Sequence, residues 1–316
     1  MTAASIEVRG VTRLFKLGSE DVQALQGIDI SVEPRQFVAL IGRSGSGKTT
    51  LLNIIAGLDR PTTGEVYLDG NRIDNLSERD LTKLRRRDMG FIFQSFGLLP
   101  LLSAQENVEL PLRIAGFGHG DRTRMARSAL DLVGLTRRAN HRPYELSGGE
   151  QQRVAIARAI ATGPRLILAD EPTGELDSTT ARIVFNLLRA LSREQDFTVV
   201  TCTHDRLVMD MADRVEELVD GRLVAPGEGE LWKRVRETAR SPFEAAFVGA
   251  PQTEESASGL SSLVGADTTA FAKPERPAAP ENGTNGTGSG QPEGGAPADE
   301  ADSTASSPWA RPQQRS

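Results

Sequence analysis

The chain has 316 residues, 38% of them hydrophobic and 25% charged, with 43 acidic against 37 basic side chains and a formal charge of −6. Most of that charge sits at one end: from Pro251 to Ser316 nine acidic residues face four basic ones, so the remaining body is close to neutral and carries no electrostatic footprint for nucleic acid. A single cysteine, Cys202, excludes a disulfide within the chain, and no apolar run approaches the ~18 to 20 residues that span a bilayer.

The first residues, Met1 to Glu7, lack the charged-then-apolar pattern of a secretory leader, so a cytoplasmic chain is expected. Strand-like runs follow at Ile6 to Gly10, Val22 to Val32 and Phe37 to Ile41, separated by turn residues. The last of these is continuous and apolar, as a strand buried on both faces should be. Thr49 to Ala56 predicts a helix with Leu51, Leu52, Ile54 and Ile55 inward and Gly57 past its end. A charged helix over 79–88 carries Arg85-Arg86-Arg87, the only compact basic run, read as a solvated face. A short strand spans Gly90 to Gln94. From Phe96 to about Arg158 the period is helical, broken at Gly97, Pro100, Pro111, Gly116 to Gly120 and Pro143, which predicts a helical insertion. Leu166 to Asp170 and Thr198 to Thr203 return to strand character around a helix from Ser178 to Leu191, giving a three-layer α/β body with a parallel sheet. Cys202 lies in an apolar run and is expected to be a buried, inert thiol.

Beyond residue 225 the character changes. Residues 228–248, with Leu231, Trp232, Val235, Phe243 and Phe247, predict a short amphipathic extension that either packs on the body or contacts a regulator or a membrane surface. Residues 251–316 are rich in Gly, Pro and Ser and bury too little apolar surface to offset their ordering entropy, so a disordered tail is expected.

Gly42-Arg43-Ser44-Gly45-Ser46-Gly47-Lys48-Thr49 fits G-x-x-x-x-G-K-[ST] and sits between a strand and a helix, the context this motif requires. Gly42, Gly45 and Gly47 let backbone N–H groups turn toward phosphates at a helix N-terminus. Lys48 reaches the β- and γ-phosphates and the Thr49 hydroxyl binds Mg²⁺, with Arg43, Ser44, Ser46 and Thr50 completing the nucleotide-contacting stretch. The apolar strand ending at Asp170-Glu171 delivers Asp170 to the same Mg²⁺. Leu146-Ser147-Gly148-Gly149-Glu150-Gln151 opens a helix over 150–160, and Ser147-x-x-Glu150 is also a capping box.

Taken together, these strings and Thr203-His204-Asp205 make residues 5–225 resemble the ATP-binding cassette (ABC) ATPases. The resemblance implies a three-layer P-loop NTPase with an N-terminal antiparallel β subdomain and a helical subdomain inserted at about 95–160. It implies that Glu171 is the general base for water and that His204 contacts the γ-phosphate. Gln94 would be the lid glutamine that senses Mg²⁺ and the water. Lys48, Gln94, Glu171 and His204 are thus the catalytic set, and Thr49, Gln94 and Asp170 the metal set. Ser147, Gly148 and Gly149 would bind the γ-phosphate of ATP on an opposite subunit. Phe15 either stacks on adenine, as an aromatic does there in the family, or packs in the core. Gly174 to Asp177 resembles the dimer-contact loop, and Asp177 equally suits the N-cap of the next helix.

The strings Phe91 to Leu112 and Ala169 to Asp177 are similar to a subgroup that includes the ATPases of lipoprotein release, of macrolide and peptide export, and of bacterial cell division. Glu175 stands where that subgroup usually has Asn, and Arg35-Gln36 where Gly-Glu is common. Each motif occurs once, so two chains must meet, either two copies or a copy and a paralogous ATPase. The resemblance implies transmembrane permease subunits as partners, no nucleic acid, and a peripheral place on the inner face of the membrane. Leu98, Leu99, Leu101 and Leu102 either line a groove for a permease helix or fill the core of the insertion. The expected function is ATP hydrolysis driving export or extraction of a lipophilic substrate, lipoprotein or peptide. The alternatives are a force-transmitting cassette without transport and a soluble cassette of translation or DNA repair; the latter predicts a tandem cassette or long coiled coil, and neither is present in the sequence.

Overall fold

The computed structural model describes residues 2–18, 20–204, 211–225 and 228–229. All of them fall in the first of two units, 1–275 and 276–316, into which the chain divides. Asp205, most of the extension over 226–250 and the tail over 251–316 lie outside the described residues.

Two sheets carry the fold. The first is antiparallel, in the order β2 (Glu20–Val32), β1 (Ile6–Leu17), β4 (Thr63–Leu68), β5 (Asn71–Arg72). Strand β1 runs well past the Gly10 at which the sequence pattern seemed to end, because a bulge at Gly10 shifts the register between Val8 and Val11 and pairing then resumes. The second sheet has the order β10 (Arg222–Val224), β9 (Arg214–Val219), β3 (Phe37–Ile41), β8 (Thr198–Thr203), β7 (Leu166–Asp170), β6 (Met89–Ile92). Its pairs are parallel except β10 on β9.

The apolar run of β3 explains itself once both faces are seen. Phe37, Ala39 and Ile41 enter one core with Ile167, Ala169 and Val199, while Val38 and Leu40 enter a second with Leu166, Leu168 and Val200. The first core is closed by α3 (Ala104–Ile114), α4 (His119–Leu132), α5 (Gly148–Ile160) and α6 (Ser178–Glu194). The second is closed by α1 (Lys48–Ile55), by Leu81 of α2 (Glu78–Asp88), and by Ile6, Val8 and Ile28 of the antiparallel sheet. Removing one such side chain, Leu40→Ala for instance, costs about 2–5 kcal/mol.

Local signals set the ends of these helices. Gly57, with φ 62°, follows α1, and Ser77, Ser103, Ser147 and Asp177 cap α2, α3, α5 and α6 through their side chains. Arg85-Arg86-Arg87 forms the last turn of α2, where cations complement the helix dipole, and Arg85 is tied down by the carbonyl of Gly57 rather than lying free on a solvated face. His119, within the expected break at Gly116 to Gly120, opens α4.

Candidate active site

Strand β3 ends at Ile41 and the chain turns at once. A Cβ at Gly42, where φ is 156°, would lie against the Leu218 carbonyl and the Ser46 hydroxyl; at Gly47, where φ is 105°, it would come within 2.5 Å of the Ala24 carbonyl. The loop is thus fenced by backbone from β2 and β9, and only glycine fits at both places. Gly47 is the left-handed N-cap of α1 and offers no side-chain cap, so no side chain competes for the N–H groups of that helix start. Lys48 is 6% exposed, and its Nζ donates to the carbonyls of Gly42 at 2.8 Å and Arg43 at 3.0 Å. The buried Ser46 hydroxyl has no hydrogen-bond partner among the described residues. A glycine cradle with a buried ammonium and an orphaned hydroxyl fits an oxygen-rich anion such as a nucleotide phosphate. Arg43 and Ser44 are exposed at the loop rim, and Thr50 is half-buried on α1.

The C-terminal ends of β7 and β8 bring the acids in. The Thr49 hydroxyl donates to Asp170 Oδ1 at 3.2 Å, joining two of the three expected metal ligands across the sheet. Burial pushes the Asp170 carboxyl above its ordinary range and the neighbouring Glu171 charge adds to this, while the Thr49 bond and the Lys48 charge oppose it. A carboxylate that is costly to keep charged, beside a hydroxyl oxygen, is a donor set that suits a hard divalent cation. Glu171 turns the chain at the strand end with φ 46°, an uncommon conformation for a non-glycine residue, held by its N–H to the Cys202 carbonyl at 2.9 Å and its carbonyl to the Gly174 N–H at 3.0 Å. The turn sets Glu171 Oε2 3.3 Å from His204 Nδ1. Cys202 itself is buried, and desolvation pushes its thiol well above the ordinary value, as expected of an inert thiol.

Gln94 lies in the loop two residues past β6, which ends at Ile92 rather than at Gln94 as the pattern suggested. Its Nε2 and Glu171 Oε2 lie 3.2 and 3.4 Å from the point where a Cβ on Gly174 would stand. Thr49, Asp170, Glu171, His204 and Gln94 are therefore one neighbourhood, in which a carboxylate, an imidazole, an amide and a hydroxyl converge beside the phosphate loop. That is the equipment for activating a water against a phosphoryl group.

Ser147, Gly148 and Gly149 stand elsewhere. The helix begins at Gly148, two residues earlier than the pattern gave, and Ser147 completes its capping box: the Glu150 N–H donates to Ser147 Oγ at 3.3 Å, and the Ser147 N–H to Glu150 Oε2 at 2.8 Å. That backbone bond, chiefly, holds the Glu150 carboxyl below its ordinary value. Ser147 Oγ accepts from the Glu150 N–H, and its side chain also hydrogen-bonds the Glu150 carboxylate. The neighbours of these glycines are Leu176, Phe96 and Thr180, not the phosphate loop. Phe15 is half-buried on β1 and in neither core; the Arg13 guanidinium lies 4.3 Å from its ring centroid and pairs with Asp59 at 2.8 Å. Asp177 caps α6, accepting from the N–H groups of Thr179 and Thr180 at 3.0 Å each.

The residues that sequence reasoning missed are Ala24 and Leu218, whose carbonyls fence the loop; Gly174, named there only for the dimer-contact loop, also leaves room between Gln94 and Glu171. The Asp-Gly pair before β10 was a legible sign of the hairpin that brings Leu218 in. The leucines at 98–102 do not line the apolar groove between α2, β6, α3 and α5. Phe91, Phe93, Leu110, Pro111 and Ile114 do, while Leu98 packs on the core and Leu99 and Leu101 are exposed.

Comparison with known proteins agrees with this geometry. The family model described as ABC transporter matches residues 25–174. The chain is 48% identical over 222 residues to the uncharacterised ABC transporter ATP-binding protein MJ0796 of Methanocaldococcus jannaschii, covering 69% of this chain and 94% of that one. It is also 48% identical over 238 residues to the macrolide export ATP-binding/permease protein MacB of Wolinella succinogenes, covering 75% of this chain and 36% of the relative, so it spans about a third of that protein's length. Among solved structures, MJ0796 as a post-hydrolysis dimer bound to ADP and Pi superposes with a TM-score of 0.65 at 45% identity, covering 70% of this chain and 97% of the other.

Proposed function

Because the chain belongs to the ABC transporter ATPase family, we propose that it is the ATP-hydrolysing subunit of a transporter whose permease subunits are separate chains. Two copies, or one copy and a paralogous ATPase, enclose two ATP·Mg²⁺, close on binding and open after hydrolysis. The observation that carries this reading is the convergence of Thr49, Asp170, Glu171 and His204 beside the phosphate loop.

Each residue has a task that its geometry supports. Lys48 and the α1 N-terminus bind the phosphates, holding them for in-line attack. Thr49, Asp170 and Gln94 would hold Mg²⁺, which supplies charge neutralisation on the phosphate oxygens. Glu171 accepts the proton of the attacking water as general base, and His204, 3.3 Å away, orients that carboxylate and reaches the γ-phosphate. The α5 start, with Ser147 exposed, Gly148 half-buried and Gly149 buried, is left for the nucleotide of the second copy, to which its backbone N–H groups and the Ser147 hydroxyl would turn. Phe15 offers a ring to adenine, with Arg13 on its other side.

No helix among the described residues is long and apolar enough to cross a membrane, so membrane attachment is assigned to the permease. The groove lined by Phe91, Phe93, Leu110 and Ile114 suits an amphipathic helix of that partner, with the chain held at the inner membrane face. Export or extraction of a lipophilic substrate, lipoprotein or peptide is the transport class that the similarity to export cassettes supports.

The test is affinity isolation of the full-length Glu171→Gln variant with ATP·Mg²⁺ from detergent-solubilised membranes. Recovery of a polytopic membrane protein is expected. Recovery of ribosomes or nucleic-acid enzymes alone would overturn the transport assignment and leave ATP hydrolysis standing.

A further inference from the structure

Arg158 lies in the last turn of α5, the same helix that Ser147 caps. Its Nη2 donates to the Phe96 carbonyl at 2.9 Å and its Nη1 to the carbonyl of Gly97. Both acceptors are left-handed, with φ 55° at Phe96 and 60° at Gly97, a turn that a phenylalanine does not hold unaided. Burial lowers the pKa of the guanidinium, and no carboxylate among the described residues offsets it. The described hydrogen bonds of this half-buried cation therefore go to the backbone of one loop.

Gln94 lies in that loop, two residues before Phe96. The amide of Gln94 and the carboxylate of Glu171 crowd the space over Gly174, so a small displacement of the backbone at 95–97 moves Gln94 relative to Glu171. A planar fork bridging two consecutive carbonyls fixes such a turn in a way that a single ammonium does not. We propose that Arg158 is a positioning residue for ATP hydrolysis, clamping the carbonyls of Phe96 and Gly97 so that Gln94 stands beside Glu171. The inference rests on the reading of Gln94 as a ligand of Mg²⁺ and of the attacking water.

The test uses the purified full-length chain, with kcat, KM for ATP, the Mg²⁺ concentration for half-maximal rate, and melting temperature measured for Arg158→Met, Arg158→Lys, Gln94→Ala and the double variant Arg158→Met/Gln94→Ala. Arg158→Met should lower kcat about 10- to 100-fold through misplacement at the reacting centre. KM for ATP should stay within about twofold, because ground-state binding is untouched. The Mg²⁺ requirement should rise, and the double variant should be no slower than Gln94→Ala, since both changes act on one group. Arg158→Lys should keep the melting temperature and still lack full kcat; it decides the matter if Arg158→Met does not fold. Wild-type kcat and Mg²⁺ dependence in the Arg158 variants, with Gln94→Ala impaired, would overturn the inference alone, as would losses that multiply in the double variant. Wild-type behaviour of Gln94→Ala would instead remove the reading of Gln94, and the inference with it.

Discussion

At the start of α1 the capping position is Gly47, left-handed and without a side chain to offer, and the next residue is the buried cation Lys48. At the start of α5 the capping position is the exposed Ser147, extended in backbone and locked to Glu150 in a reciprocal box. Both are glycine-bearing helix N-termini, and both favour an anion by the same partial charge. They differ in what surrounds them. The α1 start is fenced by the carbonyls of Ala24 and Leu218 and lies beside Asp170 and Glu171, so one chain assembles a complete phosphate site. The α5 start is finished as a helix but not as a site: its neighbours supply packing, and no acid or cation of the catalytic set is among them. On the proposed reading this difference is the reason for a second copy: one half of the chemistry is built around α1, and the α5 start supplies the other half to a partner's nucleotide.

The sharpest break of this comparison is Glu171→Gln, which leaves both helix starts intact and removes the proton acceptor. Steady-state turnover should fall about 100- to 10,000-fold, and size-exclusion chromatography with ATP·Mg²⁺ should show a persistent dimer. Near-normal turnover would remove the assigned role.

A matched pair of substitutions separates the two starts next. Gly47→Ala forces an alanine into φ 105° with its Cβ 2.5 Å from the Ala24 carbonyl, which cannot move aside. A loss of about 1–3 kcal/mol in stability is expected, together with loss of nucleotide binding by calorimetry. Gly149→Ala meets only the Thr180 methyl, also at 2.5 Å, without a positive φ. It should displace the α5–α6 contact, costing about 1–3 kcal/mol, yet keep ATP affinity while lowering dimer-dependent turnover. Equal loss of nucleotide affinity in both would erase the distinction.

Ser147→Ala is milder. Losing the cap should cost about 1 kcal/mol in denaturant unfolding, with ATP affinity of the separate chain unchanged and dimer formation on ATP weakened.

The smallest effect is in acid. The folded state holds the Glu150 carboxyl below its ordinary value of 4.5, so its contribution to stability is complete above that value and is lost as the pH falls through the lower folded value. Glu150→Gln should therefore be less stable than wild type at neutral pH and converge on it in acid, when melting temperature is followed against pH. A constant gap would mean that the carboxylate charge is not what the cap uses.

Much of this was legible before any coordinates. The phosphate loop, the buried strands β3, β7 and β8, and the capping box were read from period and residue type, because each is a local device whose residues adjoin in the chain. Two hairpins were passed over although both announced themselves: Asp69-Gly70 and Asp220-Gly221 each take positive φ at both residues, the turn that an Asp-Gly pair favours between strands. The length of β1 was hidden by its bulge, since an extra residue breaks the alternation on which the reading depends.

The sequence by itself determined which residue types stand ready: the glycines that let the loop turn, the acids at a strand end, and the serine that caps α5. Only the tertiary structure decided what closes around them. The carbonyls of Ala24 and Leu218 approach Gly47 and Gly42 from strands far away in the chain, Gly174 leaves the space that Gln94 and Glu171 share, and Arg158 reaches back to the carbonyls of Phe96 and Gly97. These contacts involve backbone atoms that every residue possesses and separations that no local period encodes. They exist only once two sheets and a helical layer have packed.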